Sequence, residues 1–114
     1  MRTPRIQAVA TAIPPDRFSQ QEILTLAGYQ DARRRGFFLN SEVEGRYLYI
    51  KRDGFTPNET VDELHERYHE GALRIGREAI IRCLAKAGVQ PQDVDFIATT
   101  SCTGWTCPGL ESLF

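Results

Sequence analysis

A chain of 114 residues, 41% hydrophobic and 25% charged, has the composition of one folded globular domain, not that of a disordered or membrane protein. A formal net charge of −1 excludes a general binder of nucleic acid or anionic membrane, and no apolar run approaches the ~18 residues of a membrane-spanning helix. Three cysteines, an odd number without dense spacing, read as reduced thiols rather than a disulfide framework. With no signal-peptide-like stretch at its start, the chain is expected in the cytoplasm.

Taken in order, Arg5–Ile13 is small and β-branched and is halted by Pro14-Pro15, which predicts a strand and a turn. Ser19 and Glu22 form a capping box ahead of Ile23, Leu24 and Leu26, so a short helix should run to about Gly28. The stretch Asp31–Ser41 is basic and then aromatic, and carries no assignment of its own. Arg46–Ile50 alternates over a few residues, and Lys51–Glu59, with Gly54 and Pro57, reads as a surface connection. A second capping box, Thr60 with Glu63, opens the strongest signal in the chain. Val61, Leu64, Tyr68, Ala72, Ile75, Ala79 and Cys83 step by three or four, the spacing of one helix face. That helix should reach Ala87 and stop at Gly88, a length of roughly 40 Å at ~1.5 Å per residue. Val94–Thr100 then reads as a strand buried on both faces, as in a parallel sheet.

Two patterns bear on chemistry. His65-Glu66-Arg67-Tyr68-His69 fits H-E-x-x-H, in which two histidines one helical turn apart hold zinc and the glutamate polarises its water. The longer form of the motif needs glycine and histidine where this chain has Ala72 and Ile75, and Glu78 on the same straight helix cannot turn back to the metal. The expectation is therefore no metal site, with the histidines on the polar side of an amphipathic helix. Among the thiols, Cys83 lies on the apolar stripe and reads as a small buried hydrophobe. Cys102 and Cys107 follow a predicted strand on a loop, where α/β proteins place ligand-contacting residues. A nucleophilic cysteine also needs a neighbour that lowers its pKa, and the sequence identifies none.

The run Thr99-Thr-Ser-Cys-Thr-Gly-Trp-Thr-Cys-Pro-Gly-Leu110, with Phe38-Leu-Asn-Ser41, Gly45-Arg-Tyr-Leu48 and the helix end Cys83-Leu-Ala-Lys-Ala-Gly88, resembles the N-terminal part of type III polyketide synthases, the chalcone and stilbene synthase family. The resemblance extends from about Ile6 to Phe114 and favours bacterial members. It implies an α/β chain forming the N-terminal part of a thiolase-like layered fold, with a long helix and buried strands, in a protein that works as a homodimer. The implied activity is acyl transfer from an acyl-CoA starter to an active-site cysteine, followed by decarboxylative condensation with malonyl-CoA. CoA thioesters are substrates there, and no cofactor is implied. In the family the nucleophilic cysteine, and the histidine and asparagine that stabilise the enolate, lie beyond the stretch matched by this chain, so neither Cys102 nor Cys107 is expected to be the nucleophile.

What the resemblance leaves to this chain is pocket wall and interface. Cys102 and Thr103 correspond to residues lining the cavity between the CoA tunnel and the growing polyketide. Cys107 replaces a methionine that in plant members reaches across the dimer, and is shorter. Arg33, Arg34 and Arg35 lie near basic residues that meet the CoA phosphates, which suits guanidinium chemistry, while Gly36 and Asn40 replace further basic residues of plant enzymes. Residues 1–114 are thus expected to be one part of a synthase domain, truncated at Phe114 and inactive alone. The alternatives are a zinc metallohydrolase built on His65, Glu66 and His69, and a non-catalytic thiolase-like interaction module.

Overall fold

The computed structural model describes residues 3–114. They fall into two compact units, one of Pro14–Arg67 and one of the N-terminal segment up to Ile13 with Tyr68–Phe114. Within Pro14–Arg67, strand β1 (Arg17–Ser19) pairs antiparallel with β2 (Gly45–Tyr47), with Arg17 opposite Tyr47, Phe18 opposite Arg46 and Ser19 opposite Gly45. Helix α1 (Gln20–Leu26) starts directly from β1. Ser19 turns the chain: its hydroxyl accepts the Glu22 N–H at 3.2 Å, and its own N–H donates to Glu22 Oε2 at 2.7 Å. The predicted capping box is present, and the helix ends at Gly28, whose φ of +66° is the left-handed value glycine adopts without cost.

Helix α2 (Ala32–Leu39) fills the stretch that the sequence left unassigned. Asp31 caps it, accepting the Arg34 N–H at 2.8 Å. Phe18 at 0% and Leu24 at 1% exposure are the buried hydrophobic residues here. Arg52 roofs them: its guanidinium lies 4.4 Å from the centre of the Phe18 ring, donates to the Arg17 carbonyl at 2.9 Å and pairs with Glu22. Gln20, only 7% exposed, gives its amide to the Phe38 carbonyl at 3.1 Å and Ser41 Oγ at 2.8 Å, and accepts from Arg46 Nε at 3.4 Å. One buried side chain thus fastens α1 to the end of α2 and to β2, with its polar atoms satisfied.

Helix α3 (Val61–Ala87) has the predicted bounds. Thr60 and Glu63 make its capping box, with Thr60 N–H to Glu63 Oε2 at 2.7 Å and Glu63 N–H to Thr60 Oγ1 at 3.2 Å. Near its start, Arg67 forms a forked ion pair with Glu59 at 2.9 and 2.6 Å and donates to the Tyr49 carbonyl at 3.4 Å. At its far end, the N–H of Gly88 reaches the Ala85 carbonyl at 3.3 Å and that of Val89 the Leu84 carbonyl at 3.1 Å. With Gly88 at φ +67°, this is the Schellman closure that a C-terminal glycine predicts.

In the unit of Tyr68–Phe114 and the N-terminal segment, the last turns of α3 hold residues 8–11. Cys83 Sγ donates to the Ala8 carbonyl at 3.7 Å, Lys86 Nζ to Val9 at 3.2 Å and Arg82 to Thr11 at 3.0 Å. Cys83 is half-buried, short of the fully buried hydrophobe expected. Short 3-10 turns cover Pro91–Asp93 and Leu110–Leu113, and the second leaves the Phe114 ring against Gly76 of α3.

Both predicted flanking strands require correction. Arg5–Ile13 and Val94–Thr100 lie outside any helix or strand, and Val94–Thr100 is exposed throughout, with Phe96 at 82%. A strand exists by pairing with a neighbour ~4.8 Å away. Here three carbonyls of the first segment take side-chain donors from α3 instead, and among the described residues neither segment has a ladder partner. The described structure is therefore mixed, with three helices and one two-stranded sheet, and the buried strands of the expected layered α/β arrangement are not formed.

Candidate functional site

The loop after Val94–Thr100 carries Cys102, Thr103 and Cys107, and all three are exposed. Its conformation is fixed from within. Ser101 Oγ accepts the Thr103 N–H at 3.3 Å and donates to the Thr103 carbonyl, a hydroxyl turn that presents Cys102 at its apex. Gly104 follows at φ +70° with its Cα face against the Tyr68 ring of α3. At the base of the loop, Thr99 Oγ1 donates to Glu111 Oε2 at 2.7 Å. That hydroxyl, followed by the backbone N–H of Glu111 itself, holds the Glu111 carboxyl below its usual pKa.

The three arginines lie in the other unit, consecutively in α2, and are not equivalent. Arg34 sits 5.6 Å from the centre of the Tyr29 ring, and Arg35 donates to the Tyr29 carbonyl at 3.3 Å. Tyr29 in turn meets Phe38 at 5.9 Å between ring centres. Successive residues of a helix point ~100° apart, so the three guanidinium groups fan out rather than converge. Arg33 and Arg34 are exposed, and Arg35 is half-buried.

His65 and His69 occupy the first half of α3, with His65 exposed and His69 half-buried. Among the described residues, no group of three histidine, cysteine, aspartate or glutamate side chains is placed to hold a metal ion. Among the same residues, no helix is long and apolar enough to cross a membrane. Sequence reasoning missed Tyr68 and Glu111 as parts of the cysteine loop. In the sequence Tyr68 is one position of the apolar stripe, and nothing local pairs Glu111 with a threonine twelve residues earlier.

No family model matches the chain. Similarity to individual proteins is nonetheless extensive, and the relatives are type III polyketide synthases. The relatives include a 3,5-dihydroxyphenylacetyl-CoA synthase of Streptomyces toyocaensis, 34% identical over 113 residues, covering 96% of this chain and 29% of that protein. A second protein of that name, from Amycolatopsis balhimycina, is 30% identical over 112 residues, covering 96% of this chain and 30% of its own length. A 1,3,6,8-tetrahydroxynaphthalene synthase of Streptomyces peucetius subsp. caesius is 25% identical over 114 residues, again across 30% of its length. The chain thus spans about three tenths of the length of the curated relatives it matches.

Proposed function

We propose that these residues form the N-terminal part of a CoA-dependent acyltransferase that condenses an acyl-CoA starter with malonyl-CoA. The observation that carries the proposal is the 34% identity over 96% of the chain to a 3,5-dihydroxyphenylacetyl-CoA synthase. In this reading the chain contributes surface rather than nucleophile. Cys102 and Thr103, small and weakly polar, form cavity wall beside a reactive poly-β-keto chain, and Cys107 faces the second subunit of a homodimer. Arg33 meets a CoA phosphate, while Arg34 and Arg35, engaged by Tyr29, shape α2 and add positive potential.

The chemistry assigned to the complete protein requires a thiolate to displace CoA from the starter, forming an acyl thioester on the enzyme. It then requires loss of CO2 from the malonyl unit to give an enolate held by preorganised donors, and attack of that enolate on the acyl carbonyl, which breaks the acyl–enzyme thioester, releases the enzyme thiolate and leaves the extended chain on CoA. A wall residue affects which starter fits and how far the chain extends, not whether the thiolate forms. Product analysis of the complete protein tests this: Cys102→Ala should leave turnover in place and change starter preference or product length. Unchanged products across several starters would remove Cys102 from the cavity.

A further inference from the structure

We propose that Tyr68 is a positioning residue for the Cys102–Thr103 wall, acting through Gly104; the proposal deepens the polyketide reading above and rests on it. Two features of Gly104 are independent of each other. Its φ of +70° lies in the left-handed region, where a side chain is strained. Its Cα face is also closed by the half-buried Tyr68 ring: a β-carbon there would stand 2.5 Å from Cδ1, 2.6 Å from Cε1 and 2.6 Å from Cγ. Only glycine lets the backbone lie this close to a ring, and the ring belongs to the long helix α3.

The rest of the loop makes this contact consequential. The Thr99–Glu111 hydrogen bond closes the base, and the Ser101 hydroxyl turn fixes Cys102 relative to Thr103. Thr103 is bonded directly to Gly104, so a loop pinned at its base and at Gly104 has little freedom left between them. Removing the ring frees one of the two anchors and lets residues 101–104 shift as a unit. A site group displaced by as little as ~1 Å has large effects on reaction geometry, and a wall displaced by that much alters which starter fits.

The test compares Tyr68→Ala, Tyr68→Phe and Gly104→Ala in the complete protein by hydrogen-exchange mass spectrometry and by product analysis with two starters of different size. Tyr68→Phe keeps the ring and should behave as the unsubstituted protein in both measurements. Tyr68→Ala should speed exchange of the Thr103 amide, which donates to Ser101 Oγ, by about tenfold, equivalent to ~1.4 kcal/mol, while peptides from 74–87 of α3 change little. Starter preference should shift in the same variant. If Tyr68→Ala frays α3, Gly104→Ala, which lies outside the helix, should reproduce the loop-specific acceleration. Exchange in 101–104 unchanged by Gly104→Ala, or accelerated only in step with α3, would overturn the proposal. A loop-specific acceleration in a protein that makes no polyketide from any starter would instead overturn the polyketide reading on which it rests.

Discussion

Pro14–Arg67 and Tyr68–Phe114 are similar in length and differ in how their polar and apolar groups are satisfied. In Pro14–Arg67 the strand partner, both helix caps and the buried glutamine's ligands all come from within about 30 residues of sequence. Phe18 and Leu24 are sealed. In the other unit, α3 is complete, but the segments beside it are held mainly by side-chain donors. Ile6 at 85% exposure, with Val9, Phe96 and Trp105, leaves apolar surface open to solvent. Hydrogen bonds from helix side chains thus hold a segment in place without making it a strand or burying its apolar residues. Apolar surface of this kind favours association.

Substitution in the sealed core should widen that contrast most. Phe18→Ala deletes a fully buried ring and the platform beneath Arg52, at a cost of about 3–5 kcal/mol. Amide protection in 17–26 and 45–47 should collapse, while protection in 74–87 of α3 persists; equal loss in both would erase the distinction between the units. Gln20→Leu comes next, because it removes the bonds to the Phe38 carbonyl, Ser41 and Arg46 that fasten α1 to α2 and β2, although Ser41 Oγ still donates to the Phe38 carbonyl at 2.8 Å. Each lost hydrogen bond contributes about 1 kcal/mol, so thermal unfolding followed by circular dichroism should begin several degrees lower.

Caps should produce smaller effects. Thr60→Ala removes the hydroxyl that accepts the Glu63 N–H and should destabilise the start of α3 by about 1 kcal/mol. Acid tests the same feature. The Thr60 backbone N–H, then its hydroxyl, hold the Glu63 carboxyl below its ordinary value of 4.5. The Ser19 backbone N–H, its hydroxyl and Arg52 do the same for Glu22. Because these pKa values are lowered in the folded chain, the associated stability is complete above the ordinary value and is lost as pH falls through the lowered one. Helicity followed by circular dichroism should therefore weaken modestly below pH 4.5, and Glu63→Gln should blunt the change; an identical acid transition in that variant would detach it from the cap.

Features decided by neighbouring residues were legible in the sequence. Both capping boxes, the bounds of α3 and its closure at Gly88 follow from side chains three to five positions apart, and all are found where expected. Helix α2 was not legible, because Arg33, Arg34, Arg35 and Gly36 carry no periodic apolar stripe and its support comes from Tyr29 and Gln20 outside it. Val94–Thr100 has strand composition, but a strand also needs a partner that composition does not supply. At the candidate site, the Ser-Cys-Thr-Gly run identified the loop, while its anchor Tyr68 lies 36 positions from Gly104 and only the structure brings the two together.

The proposal that Cys102 and Cys107 form wall and interface in an acyl-transferring enzyme whose nucleophile lies elsewhere is tested by mapping the acyl group. The complete protein would be incubated with acyl-CoA, digested and sequenced by mass spectrometry. The expected result is an acyl adduct outside residues 1–114, retained in Cys102→Ala. An adduct on Cys102 that this substitution abolishes would contradict it.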